Sequence, residues 1–131
     1  NVNLTQMVED YFEDNSKIEI VGKAYDGEEG LKIIKEGTLK YDLIILDLVM
    51  PKKDGIAVLK ELKAMNTSSN VIVATSYNAP DTIRKVSELG ANYYVLKPFD
   101  MCDLEEKIMD TFSDMDKKSI NLFSNNKNPY I

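Results

Sequence analysis

The sequence contains no histidine. That removes Ser-His and Cys-His dyads and the usual zinc sites. It also means that the chain cannot carry phosphate on a histidine of its own. Cysteine occurs once, at Cys102, so no internal disulfide can form and a reducing, cytoplasmic setting is expected. No apolar run approaches the ~20 residues needed to span a bilayer. Residues 1–15 lack the basic start and apolar stretch of a secretory signal. Positive charge is in the minority: 16 Lys and Arg stand against 22 Asp and Glu, a net charge of −6. An acidic surface repels phosphate backbones, so direct nucleic-acid binding by this domain is not expected.

What remains is an ordinary globular composition. Of 131 residues, 44% are hydrophobic and 29% charged, which suits one domain around one core. Leu4, Met7, Val8 and Tyr11 recur at helical spacing in residues 3–13. Residues 18–24 (IEIVGKA) alternate like a strand. Asp26-Gly27 reads as a turn, and residues 28–36 as a helix with Leu31, Ile33 and Ile34 inward and Gly37 as its stop. Leu43-Ile44-Ile45-Leu46 is an unbroken aliphatic run between Asp42 and Asp47, as expected of a strand buried on both faces. Residues 54–65 repeat Ile56, Leu59 and Leu62 at helical spacing, with Asp54 as the expected cap. Val71 to Ala74 is a further apolar strand ending at Thr75. Pro80 opens a helix over 80–89 and Gly90 closes it. Residues 92–96 (NYYVL) read as a strand and 102–113 as a last helix, with Cys102 an inert residue at its start. Residues 114–131, rich in Asn, Ser and Lys, read as a polar linker or tail.

Strand and helix alternate at short spacing, which implies right-handed crossovers and a parallel sheet covered on both faces. In such sheets the chemistry lies just beyond the carboxyl ends of the strands. Three apolar strands end at Asp47, Thr75 and Lys97. One rim would then gather a carboxylate, a hydroxyl and an ammonium. A carboxylate can attack a phosphoryl group and form an acyl phosphate. Cations neutralise the charge on the transferred oxygens, and a hydroxyl can donate to the phosphoryl group once attached.

These segments carry a family resemblance. Tyr41 to Pro51 (YDLIILDLVMP), with Asp54-Gly55, resembles the phosphoacceptor segment of response-regulator receiver domains. Val71 to Thr75 resembles their fourth strand with its switch hydroxyl, and Lys97-Pro98-Phe99 their lysine-proline motif. The spacings match, and the resemblance covers residues 1–113. Lys97 to Met101 and Val21 to Gly27 look most like the receiver of the sporulation master regulator of spore-forming bacteria. The resemblance implies an α/β, flavodoxin-like (CheY-like) doubly wound parallel sheet with the family's strands in the order 2-1-3-4-5. It implies that Asp47 accepts a phosphoryl group from a histidine kinase or histidine phosphotransfer protein. Lys97 would pair with Asp47 ahead of a cis Pro98 bond, and Thr75 and Tyr94 would be switch residues. Mg²⁺ would be the cofactor, held by Asp47 and the backbone carbonyl of Val49. Helix 80–89, strand 92–96 and the last helix would form an output face. That face would serve a homodimer or a C-terminal DNA-binding effector that controls transcription. Such a domain is not an enzyme in the usual sense: it takes part in phosphoryl transfer to its own Asp47 and in slow autodephosphorylation.

One part of the pattern is missing. The family's first strand, which ends in an acidic pair that holds Mg²⁺, would precede Asn1. It is normally central, between Ile18–Val21 and Leu43–Leu46, and a sheet without it leaves two rows of backbone groups unpaired. The strand could be native but outside this sequence, donated by a second molecule, or supplied by residues 119–126 (SINLFSNN). In the last case Asn125-Asn126 would replace the acids and weaken Mg²⁺ binding, because hard cations want anionic oxygen. The missing pair also favours a second reading, a pseudo-receiver that binds partners without phosphorylation. A redox domain of flavodoxin type is disfavoured, since no Ser-, Thr- and Gly-rich phosphate loop follows any strand.

Overall fold

The computed structural model describes residues 4–37, 41–48, 55–65, 69–76, 79–112 and 118–123. Their order is α1 (Leu4–Phe12), β1 (Ile18–Ala24), α2 (Gly27–Glu36), β2 (Leu43–Asp47), α3 (Gly55–Ala64), β3 (Asn70–Thr75), α4 (Pro80–Glu88), β4 (Tyr93–Leu96), α5 (Met101–Thr111) and β5 (Lys118–Phe123).

Local chemistry explains several boundaries. Asp26 and Gly27, expected as a turn, are the start of α2. Asp26 is its N-cap and accepts from the Glu29 N–H at 2.8 Å, which satisfies one of the helix's orphan donors. Gly37 ends α2 in the left-handed conformation, φ 69°, which costs a residue without Cβ little. Asn15 closes the turn between α1 and β1. Its side-chain oxygen accepts from the N–H groups of Lys17 and Ile18 at 2.8 and 3.0 Å. Asn92 does comparable work before β4: its side-chain oxygen accepts from the Val71 N–H, and its own N–H donates to the Val71 carbonyl, both at 2.8 Å.

The five strands form one parallel sheet in the order β1-β5-β2-β3-β4. In space this is the expected order, with the first position taken by β5, from the carboxyl-terminal part of the chain. β5 pairs with β1 from Ile18↔Lys118 to Ala24↔Phe123, with an irregularity between Ile20 and Gly22. On its other side it pairs with β2 from Leu43↔Ile120 to Leu46↔Phe123. Both rows that would have been open are therefore hydrogen-bonded. The strand begins at Lys118 and is described as far as Phe123; Asn125 and Asn126 lie outside the described residues, as do Val49 and Asp54.

The sheet divides the core in two. Every residue of β2 is buried, and alternation sends its side chains to opposite faces. Ile44 and Leu46 pack with Leu31, Val58, Leu59, Leu62 and Val86 of α2, α3 and α4. Leu43 and Ile45 pack with Val8 and Phe12 of α1, Leu104 and Ile108 of α5, and Ile120 of β5. Each such aliphatic stabilises the fold by about 1.5–3 kcal/mol relative to exposure. On α1 the buried face is Thr5, Val8 and Phe12, while Met7 and Tyr11 stay exposed. Tyr11 instead ties α1 to α5: its hydroxyl donates to Glu105 at 2.9 Å and lies 3.6 Å from the Cys102 thiol. Hydrogen bonding to Cys102 and then to Glu105 pushes the Tyr11 pKa above the ordinary phenol value.

Candidate functional site

β2 and β3 run side by side, with Asp47 level with Ala74. The chain then continues into Leu48 and Thr75 at the same rim. The Leu48 N–H donates to the Ala74 carbonyl at 3.1 Å, extending the ladder by one residue. β4 lies on the far side of β3, with Leu96 level with Thr75. The next residue, Lys97, donates its N–H to the Thr75 carbonyl at 2.8 Å and precedes a cis peptide bond to Pro98. Backbone pairing alone thus places Asp47, Thr75 and Lys97 on three adjacent strand ends.

The side chains meet there. Lys97 Nζ lies 2.7 Å from Asp47 Oδ2 and donates to it. The Asp47 side chain is 1% exposed and that of Lys97 13%. A charge-assisted bond this short, largely out of water, fixes the carboxylate and neutralises it. Thr75 is buried at the end of β3, the strand between β2 and β4. The carboxylate and the ammonium expected at one rim are therefore in contact, and Thr75 ends the strand that lies between theirs.

The donor set for a metal ion is less complete. No group of three or more His, Cys, Asp or Glu that could hold a metal occurs among the described residues. Of Asp47, Thr75 and Lys97 only Asp47 is a carboxylate, and Lys97 already holds it. A hard divalent cation takes several oxygen donors, so the described residues by themselves do not fit Mg²⁺.

Tyr94 lies on β4, level with Val73 of β3. It is 38% exposed, whereas its neighbour Tyr93 packs against the core and has Lys107 Nζ 5.6 Å from its ring centroid. Tyr94 and Leu96 border a groove of about 570 Å³ between α4 and α5, with Ile83, Pro98 and Lys107 along its walls. One residue at the rim drew no role from sequence beyond its place in a motif. Gly55, the first residue of α3, donates its N–H to the Leu48 carbonyl at 2.9 Å and sits against the Asp47–Leu48 backbone. Its position after Asp54 marks a helix start; the close approach exists only in the folded chain.

Comparison with known proteins agrees with this geometry. The family model for the response regulator receiver domain matches residues 1–109. The receiver domain of Francisella response regulator 1452 is 31% identical over 82% of this chain and 88% of that one, with a TM-score of 0.70. A DNA-binding response regulator of the LuxR family from Staphylococcus aureus is 27% identical over 82% of this chain and 88% of that one, with a TM-score of 0.72. A chain of the CheX-CheY-BeF3-Mg²⁺ complex from Borrelia burgdorferi, 24% identical over 85% of this chain and 81% of that one, shares the fold at a TM-score of 0.75. With the parallel five-stranded sheet and the Asp47–Lys97 pair at its rim, these matches show that the chain belongs to the response regulator receiver domain family of two-component signalling.

Proposed function

We propose that this chain is the phosphoacceptor of a two-component or phosphorelay pathway. Asp47 takes the phosphoryl group, and the change switches partner or dimer interactions that control transcription. The observation that carries the reading is the 2.7 Å contact between Lys97 and the buried Asp47 carboxylate, with Thr75 at the end of the strand between theirs. An Asp47 oxygen attacks phosphorus, the bond to the donor breaks, and the acyl phosphate forms. The donor is the phosphohistidine of a kinase or phosphotransfer protein. Lys97 neutralises charge on the arriving oxygens, and Thr75 supplies a hydroxyl to the bound group. The chain modifies itself and slowly loses the group; it turns over no external substrate. Magnesium is the cofactor the family resemblance implies; the described residues do not by themselves complete a site for it.

The segments Val21–Gly27 and Lys97–Met101 support a place in sporulation control. A LuxR-family relative named as DNA-binding supports a DNA-binding effector as the output partner. A single exposed cysteine suits a reducing cytoplasm, and no helix of the described residues is long and apolar enough to cross a membrane.

Incubation with acetyl phosphate and Mg²⁺, followed by intact mass, tests the acceptor role. One added phosphoryl group is expected on the parent and none on Asp47→Asn. Among the described residues the carboxylate set is incomplete, which favours a second reading, a pseudo-receiver that binds partners unmodified; a parent that takes up no label would support it. Tyr94→Ala bears on the switch. Tyr94 is 38% exposed and sits in β4, so its loss is expected to lower the unfolding free energy by about 1 kcal/mol and leave the fold intact. It is expected to alter phosphorylation-dependent association followed by light scattering. Unchanged association would remove Tyr94 from the switch.

A further inference from the structure

Gly55 differs from the other glycines whose surroundings are known. Gly37 and Gly90 have positive φ, and a Cβ on either would meet nothing within 4 Å. Gly55 has ordinary helical backbone, so it is not there for conformational freedom. What it lacks is room. A Cβ at 55 would lie 2.5 Å from Leu48 Cα, 2.8 Å from Leu48 Cδ2 and 2.9 Å from the Asp47 carbonyl oxygen. Two of those three atoms are backbone and cannot swing aside.

Neither side of the contact can yield freely. Leu48 is tied to β3 by its bond to the Ala74 carbonyl and to α3 by the bond it accepts from Gly55. Asp47 is paired with Ala74 in the ladder. α3 is anchored by Val58, Leu59 and Leu62, all buried. A methyl group at 55 must therefore displace the Asp47–Leu48 peptide or lift the start of α3, and either breaks the 2.9 Å bond to Leu48.

We propose that Gly55 is a positioning residue for Asp47. The bare first residue of α3 sets the Asp47–Leu48 backbone against β3, and so sets where the acceptor carboxylate meets Lys97. The consequence for phosphoryl transfer rests on Asp47 being the acceptor; the backbone placement does not.

Gly55→Ala separates the two. Folding is followed by circular dichroism, Leu48 amide exchange by NMR, and labelling by acetyl phosphate with Mg²⁺. The expected result is a folded protein in which Leu48 loses amide protection while Ile72, in the middle of β3, keeps it. Labelling is expected to fall by about ten- to a hundredfold, the scale of a small misplacement of a reacting group. Leu62→Ala, a cavity farther along the same helix, is expected to lower the melting temperature yet label at the parent rate. Adding Leu48→Ala to Gly55→Ala removes the side-chain contact and leaves the backbone contacts, so it is expected not to restore labelling or Leu48 protection. Parent-like Leu48 exchange in Gly55→Ala overturns the proposal. So does rescue by Leu48→Ala, or labelling that merely follows melting temperature across all the variants. A parent that takes no label defeats the acceptor reading instead, and Leu48 exchange then decides the positioning claim alone. If Gly55→Ala does not fold, Gly55→Ala with Leu48→Ala, set against Leu48→Ala alone, decides it: a folded double variant with parent-like protection at residue 48 overturns the proposal, and a double variant that fails to fold while Leu48→Ala folds upholds the backbone clash.

Discussion

Lys97→Met is expected to lower the unfolding free energy by about 3–5 kcal/mol, the range seen when one partner of a buried ion pair is removed. Methionine fills much of the lysine's volume, so the loss is mainly that of the ammonium. Asp47 is 1% exposed and cannot turn to water for compensation. Its charge would stay buried without the cation 2.7 Å away. The converse change is milder. In Asp47→Asn the stranded group is Lys97, which is 13% exposed and carries its charge on a flexible stem that can reach solvent. The expected order of stability is therefore parent, then Asp47→Asn, then Lys97→Met, with the double variant recovering part of the second loss. Urea unfolding measures all four. Both single variants are also expected to lose phosphoryl uptake, one for want of the nucleophile and the other for want of the cation. A Lys97→Met protein within about 0.5 kcal/mol of the parent would show that the pair is not held as described.

Ile120→Asp is expected to prevent folding altogether. Ile120 is fully buried against Ile18, Leu43, Ile45, Val8 and Phe12, in the strand between β1 and β2. Truncating an aliphatic at such a site costs about 2–5 kcal/mol through lost transfer and the cavity left behind. A carboxylate there adds the cost of an unpaired buried charge. Together these approach the whole stability of a domain this size, about 5–15 kcal/mol. Ile120→Val keeps the shape and is expected to cost about 0.5–1.5 kcal/mol. Far-UV circular dichroism and thermal melting of the two variants against the parent make the comparison. Parent-like melting of Ile120→Asp would mean that residues 118–123 are not the strand between β1 and β2 in solution.

The same two sites show where sequence was enough and where it was not. β2 was legible because four aliphatics in a row between acids have few other uses in a domain this small. The stop of α2 at Gly37 and the start of α4 at Pro80 were legible from local backbone preference. Asp47, Thr75 and Lys97 could be picked out because each stands at the end of its apolar run, and parallel topology delivers strand ends to one rim. The start of α2 was misjudged by a residue, since an Asp-Gly pair suits a turn as well as a cap. The exposed side of α1 was not legible from apolar spacing: Met7 and Tyr11 fit the stripe that Val8 and Phe12 occupy.

Local pattern therefore determined the class of fold, the run of helices and strands, and the three residues at the rim. It could not assign residues 118–123, because Lys118, Ser119 and Asn121 beside Ile120, Leu122 and Phe123 read as readily as linker. That segment is a strand because β1 and β2 each present a row of unpaired amides and carbonyls across a gap one strand wide. Gly55 is the same case on a smaller scale: its need for space comes from Leu48, seven residues away along the chain and in contact only after α3 docks. Periodicity and capping are set by neighbours in sequence. Strand partners and close backbone approaches are set by whatever the rest of the chain leaves open, and that exists only once the sheet has formed.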